Sequence, residues 1–207
     1  TELVKYSPDT ILIIVSNPLD VMVQVAKDAS GLPYVNVMGM AGILDTARYR
    51  AFIADELDVS PKDIQALLMG GHGDTMVPLP RFTTLSGMPI THFISEERLD
   101  EIVDRAKKGG GEIVGLMGTS AWYAPGASVS YLVDSIVNDQ KRMIPCSVFL
   151  AGEYNQDDIC IGVPCIIGKD GVEAIIDVNL NTAEQEKFDQ SATAVRNMNQ
   201  ALNEVLK

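Results

Sequence analysis

The chain has 207 residues, 46% of them hydrophobic, and 28 acidic side chains against 16 Lys and Arg, for a formal net charge of -12. That apolar share is enough for a sizeable core in one large domain or two small ones, while the acidic balance argues against nucleic acid, whose phosphates need clustered Lys and Arg. Cys146, Cys160 and Cys165 form no CxxC pair and are odd in number, and no apolar run nears the roughly 20 residues of a membrane helix, so a cytoplasmic protein without disulfide, zinc site or membrane partner is expected.

The run TILIIVS (10–16) is continuously apolar and β-branched, which predicts a strand buried on both faces of a parallel sheet. NPLDVMVQVAKDASG then predicts a helix, with Pro18 in its first turn, Leu19, Met22 and Ala26 on one face and Gly31 as its stop. YVNVMGM (34–40) predicts a second strand, so the opening is β-α-β. A helix is expected from Ile43 to Leu57, and Ser60–Pro61 resets the chain as an N-cap followed by a first-position proline.

Beyond residue 60 the texture changes. IQALLMGG predicts one strand ending in glycines, and MVPLPRFTTLSGMPITHFI predicts strands around an SGM turn, with prolines at edges. Ser95 caps the helix EERLDEIVDRAKK, with Ile94 and Leu99 as a hydrophobic staple, and Gly109–Gly110–Gly111 is expected to stop it before a new helical stretch near Glu112. APGASVSYLVDSIVNDQKR predicts another helix, then MIPCSVFLAGEY, DICIGVPCIIG and VEAIIDVNL predict three strands. Thr182 and Gln185 form a capping-box pattern for a last helix striped by Phe188, Ala192, Val195, Asn199, Leu202 and Leu206. The fold class is α/β at the start, then α+β. Two strands and a helix cannot close a parallel sheet, so the chain is expected to be the later part of a longer protein; a free fragment would expose the broken edge of a buried sheet.

Three short stretches carry candidate chemistry. In GMAGILDTARYR, Asp45 and Arg48 share one helix face. A solvated ion pair is the ordinary reading, but Met40, Ile43, Leu44, Ala47 and Ala51 suggest burial, and a buried charge needs a partner or a purpose. In GGHGDTMVP, His72 sits among glycines that permit close approach of a ligand. A histidine transfers protons near neutral pH, and a base is oriented by a carboxylate on its other nitrogen; Asp74 is adjacent, and Asp45 is distant but within reach across a fold. His92 has no such setting. In SNPLD, Asn17 stands at the carboxyl end of a strand, where open sheets bind ligands, or is simply the helix N-cap. No GxGxxG, GxxxxGK[ST], GxSxG or HExxH occurs, so no phosphate cradle, serine-hydrolase elbow or metal site is expected.

VSNPLD, GMAGILDTARYR and MGGHGDTMVP, in this order and followed by KKGGGEIVGLMGTSAWYAPGAS, resemble the lactate/malate dehydrogenase family along the whole chain, and its bacterial malate-type branch most closely. The resemblance implies that residues 1–40 are the last strands of an NAD-binding Rossmann domain and residues 41–207 the catalytic domain. It implies His72 as the proton acceptor, Asp45 as its carboxylate partner, Arg48 as the two-pronged clamp on the substrate carboxylate, and Asn17 as the hydrogen-bond partner of the substrate oxygen beside the nicotinamide. Val15 and Ser16 are then expected to line the nicotinamide pocket, and Ala121 to border the substrate. The implied cofactor is NAD, the implied partner a small 2-hydroxy or 2-oxo dicarboxylic acid, and the implied assembly a homodimer or homotetramer. The implied reaction is (S)-malate to oxaloacetate, a tricarboxylic acid cycle step, with L-lactate dehydrogenation by the same mechanism or a non-catalytic fragment as alternatives. The family's glycine fingerprint and mobile specificity loop are not in this sequence, so the choice of substrate rests on the branch-like text alone.

Overall fold

The computed structural model describes residues 2–120 and 122–205. A short helix α1 (Glu2–Tyr6) precedes β1 (Leu12–Ile14), α2 (Leu19–Ser30), β2 (Val37–Gly39) and α3 (Gly42–Leu57). β1 and β2 pair in parallel across the α2 crossover, with Leu12 opposite Val37, as continuous apolar runs on either side of an amphipathic helix dictate. α2 ends where Gly31 takes a left-handed φ of 68°, a conformation without cost for a residue lacking Cβ.

The next segment is cut finer than its sequence suggests. IQALLMGG is not one strand but two: β3 (Ile64–Gln65) and β4 (Leu68–Gly70), in different sheets. β4 pairs with β5 (Met76–Pro78), whereas β3 joins β6 (Thr84–Leu85) and β7 (Met88–Pro89) around the Ser86–Gly87 turn. Apolar periodicity records burial, and Ile64 of β3 and all of β4 are buried while Gln65 is exposed; it does not record which neighbour each one bonds. The Ser60–Pro61 reset produces a single 3-10 turn, in which the Ser60 hydroxyl accepts the Lys62 N–H.

α4 (Glu96–Met117) also departs from expectation. Ser95 caps it by accepting the Arg98 N–H, and Ile94 and Leu99 are both buried, as the staple requires. The helix then runs through Gly109–Gly110–Gly111 without a break and stops only at Gly118, where φ is 68°. After α5 (Tyr123–Val137) come β8 (Arg142–Ala151), β9 (Asp157–Gly168) and β10 (Gly171–Ile175), then α6 (Thr182–Val205). The capping box of α6 lies one residue earlier than Thr182/Gln185: Asn181 Oδ1 accepts the Glu184 N–H, and Glu184 accepts the Asn181 N–H. Gln185 instead donates to the Tyr154 carbonyl and to Asp189. Phe188, Ala192 and Val195 bury the α6 stripe as expected, and Leu206 lies outside the described residues.

The main sheet runs β1-β2-β8-β9-β4-β5, with β10 also on β9. β2 meets β8 antiparallel at Gly39 and Ser147, so the boundary expected near residue 40 falls inside one continuous sheet. The largest core cluster is built on the β8–β9 ladder, with Leu132 of α5 and Phe188, Ala192 and Val195 of α6 against it. A second cluster lies between α3 and α4 (Tyr49, Ile53, Leu99, Ile102). Among the described residues, no helix is long and apolar enough to cross a membrane.

Candidate active site

α3 carries Asp45 and Arg48 about one turn apart. Met40 and Leu44 beside them are buried and Ile43 half-buried, but Ala47 and Ala51 are exposed, so the apolar stripe is narrower than the sequence suggests. Asp45 is nevertheless buried, at 3% side-chain exposure, and both its oxygens are engaged. Arg48 Nη1 donates to Oδ1 at 3.3 Å, and His72 Nδ1 lies 2.8 Å from Oδ2. His72 enters from the loop after β4, 27 residues along the chain. Asp74, its sequence neighbour, is exposed and lines the same cleft, while the ring is paired with Asp45.

The His72–Asp45 bond occupies Nδ1 and leaves Nε2 for another partner. The His72 side chain is 17% exposed and that of Arg48 18%, and both face a cleft of about 690 Å³. Its walls include Val15 and Asn17 at the carboxyl end of β1, and Gly110 and Trp122 from the α4–α5 side. Ser16 is exposed at the end of β1 and is not among the lining residues. Ala121 lies outside the described residues. His92 is exposed beside Phe93, in a separate 3-10 turn. The arrangement can orient an imidazole, compensate its positive charge and present a guanidinium beside it.

The sequence pattern described as the lactate/malate dehydrogenase, alpha/beta C-terminal domain matches residues 43–205. The chain belongs to this family. It is 55% identical to the malate dehydrogenase of Flavobacterium johnsoniae over 203 residues, which cover 98% of this chain and 65% of that protein. It superposes on the malate dehydrogenase structure from Salinibacter ruber with a TM-score of 0.95 at 54% identity, covering 98% of this chain and 66% of that one. A structure of Plasmodium falciparum malate dehydrogenase in complex with NADH gives a TM-score of 0.91 at 38% identity, covering 94% of this chain and 66% of that one. The chain thus spans about 65% of the length of the Flavobacterium relative.

One residue of this dehydrogenase-family site has no signal in the sequence that singles it out. Asp20, in the first turn of α2, is 3% exposed. Its Oδ2 accepts the backbone N–H of His72 at 2.8 Å, and its Oδ1 accepts the Ser147 hydroxyl at 2.6 Å. Burial pushes its carboxyl pKa above the usual range; the bonds from Ser147 and from the His72 backbone oppose this without cancelling it. For the His72 ring, burial disfavours the charged form. The hydrogen bond and charge of Asp45, with the charge of Asp20, outweigh burial and a smaller opposing push from Arg48, so its pKa is raised. An acidic residue at the start of a helix is ordinary, and the SNPLD stretch contains nothing else that marks Asp20 as a tie between three distant segments.

Proposed function

We propose that the protein is an NAD-dependent oxidoreductase that interconverts (S)-malate and oxaloacetate, with His72 as proton acceptor. The observation that carries this reading is one carboxylate, Asp45, bonded on one oxygen to His72 and on the other to Arg48 at the wall of a single cleft. In malate oxidation, the C2 hydroxyl proton passes to His72 Nε2 as hydride leaves C2. Asp45 compensates the imidazolium so formed. Arg48 holds the substrate carboxylate with a planar fork, and Asn17 hydrogen-bonds the reacting oxygen. Reduction of oxaloacetate reverses the proton's path.

The nicotinamide of NAD supplies the hydride acceptor when bound. Val15 and Asn17 fit it: they form the end of β1 where open sheets bind dinucleotides, and Val15 is 43% exposed, leaving an apolar surface for a flat ring in the cleft beside His72. Ser16 belongs to the same strand end through its backbone. In this reading residues 1–40 complete a nucleotide-binding domain and residues 41–207 form the substrate domain. The protein is a cytoplasmic homo-oligomer, dimer or tetramer, acting in the tricarboxylic acid cycle. That the similar proteins of Flavobacterium johnsoniae and Salinibacter ruber are malate dehydrogenases supports malate over lactate; Arg48 binds a carboxylate that both acids carry.

The deciding experiment follows NADH oxidation by the complete protein with oxaloacetate and with pyruvate. Turnover with oxaloacetate at a kcat/KM at least about 10²-fold above that for pyruvate is expected. A pyruvate preference would replace the malate reading with lactate dehydrogenation, and no turnover with either acid would remove the catalytic reading.

A further inference from the structure

Among its described residues, α6 buries one polar side chain, Ser191, between the apolar residues of its stripe. Phe188, Ala192 and Val195 are apolar and fully buried, and Ser191, among them, is 2% exposed. Serine is a weaker helix former than alanine, and its hydroxyl is costly to bury unless bonded. Core packing alone would be served by alanine here. The Ser191 hydroxyl oxygen instead accepts the N–H of Gly71 at 2.8 Å, across 120 residues of chain.

We propose that Ser191 is a positioning residue for His72: it fixes the backbone that carries the imidazole. This rests on the reading of His72 as proton acceptor. The loop closes on itself by one bond, from the Met76 N–H to the Gly73 carbonyl at 3.2 Å, and the residues before it are held from outside. Gly70, Gly71 and Gly73 flank the histidine, with φ of 82° at Gly70 and 93° at Gly73, and glycine backbone is the least restrained there is. Two consecutive amides are tied down from outside: Gly71 N–H by Ser191 on α6, and His72 N–H by Asp20 on α2. The loop also lies directly on α6. A Cβ on Gly71 would stand 2.5 Å from Thr75 Oγ1 and 2.9 Å from Val195 Cγ2, and one on Gly70 2.8 Å from Ser191 Oγ. The loop can therefore neither thicken nor approach α6 more closely. The Ser191 bond fixes its rotation about that contact, and with it the direction from which His72 reaches Asp45. Asp20 ties the loop with charge; Ser191 ties it with direction only.

The test uses Ser191→Ala in the complete protein, beside Ala192→Gly, which weakens the same helix one residue along without removing a bond to the loop. Three quantities are read: amide hydrogen exchange over residues 70–73, the single-turnover rate of hydride transfer from NADH to oxaloacetate, and KM for oxaloacetate. Ser191→Ala is expected to speed exchange at Gly71 and His72 by at least about tenfold and to slow hydride transfer by about tenfold. KM should move less than about twofold, since Arg48 sits on α3. Ala192→Gly should lower Tm at least as much and leave the hydride-transfer rate within about twofold. Unchanged hydride transfer in Ser191→Ala, or an equal loss in Ala192→Gly, overturns the positioning role alone. Absent turnover in the unmutated protein overturns the catalytic reading and the positioning role together.

Discussion

His72 is placed between two carboxylates, one bonded to its ring and one to its backbone. Their combined effect raises its pKa above 6.5 despite burial. Malate oxidation needs the neutral ring, so kcat/KM for malate should rise with pH through an inflection above 6.5, and kcat/KM for oxaloacetate should fall across the same range. Asp45→Asn removes the largest upward push and is expected to move that inflection down while cutting kcat by roughly 10³–10⁴-fold; an unmoved inflection would show that the pair does not set the charge of the ring. The same shift is a stability statement. Between 6.5 and the raised value the native protein keeps a proton that the unfolded chain has lost, so this contribution is fully present below 6.5 and disappears as pH rises through the folded pKa. Asp20→Asn turns an amide NH₂ toward one of two buried donors. It should lower stability by about 1–3 kcal/mol in urea unfolding and also lower the His72 inflection; an unchanged midpoint would mean that water replaces the carboxylate. At this scale the sequence reads well where partners are near and poorly where they are far. Asp45 and Arg48 show themselves by a three-residue spacing, and His72 by its glycines. Asp20 is silent because its partners lie 52 and 127 residues away.

α4 shows how an element overrides local propensity. Glycine inside a helix costs about 1 kcal/mol relative to alanine, so three in a row read as a stop. Leu99, Ile102, Val103 and Ala106 anchor the helix against α3 up to the run, Gly109 is itself buried, and the Arg48 side chain lies across the glycines. A Cβ on Gly109 would meet Arg48 Cδ at 3.4 Å, and one on Gly110 its Nη2 at 3.4 Å. Gly115, on the same helix, has nothing within 4 Å. Gly115→Ala should therefore raise Tm by a few degrees at unchanged kinetics. Gly110→Ala would set its methyl in ordinary van der Waals contact with the guanidinium, 3.4 Å from Nη2, and should give a similar propensity gain with KM for the dicarboxylic acid within about twofold. A severalfold rise in KM in Gly110→Ala alone would show that this contact leaves Arg48 no room for the substrate carboxylate. The displaced capping box makes a related point: Asn181–Glu184 and Thr182–Gln185 are equally good patterns one residue apart. The packing of Gln185 against the Tyr154 carbonyl decides between them.

For the molecule as a whole, the β8–β9 ladder is the centre of the largest core cluster, and all three thiols lie on it. Burial pushes Cys146 and Cys160 up to about 12, and Cys165 well above the usual thiol range. The reactive thiolate is thus absent at neutral pH. Iodoacetamide labelling should proceed only through global unfolding, with a rate that follows the denaturant dependence of the whole transition; faster labelling in native buffer would reveal local opening of the ladder.

The sequence by itself determined the order and type of most elements, the β-α-β opening, the β8–β9–β10 series and the candidate chemistry of His72, Asp45 and Arg48, because these rest on periodicity, caps and spacings that are local. Only the tertiary structure decided that IQALLMGG divides between two sheets, that α4 runs through its glycines, and that Asp20 and Ser191 hold successive amides of the histidine loop. Each of those depends on which distant segment supplies a hydrogen bond or fills a space, and that is settled when the elements pack.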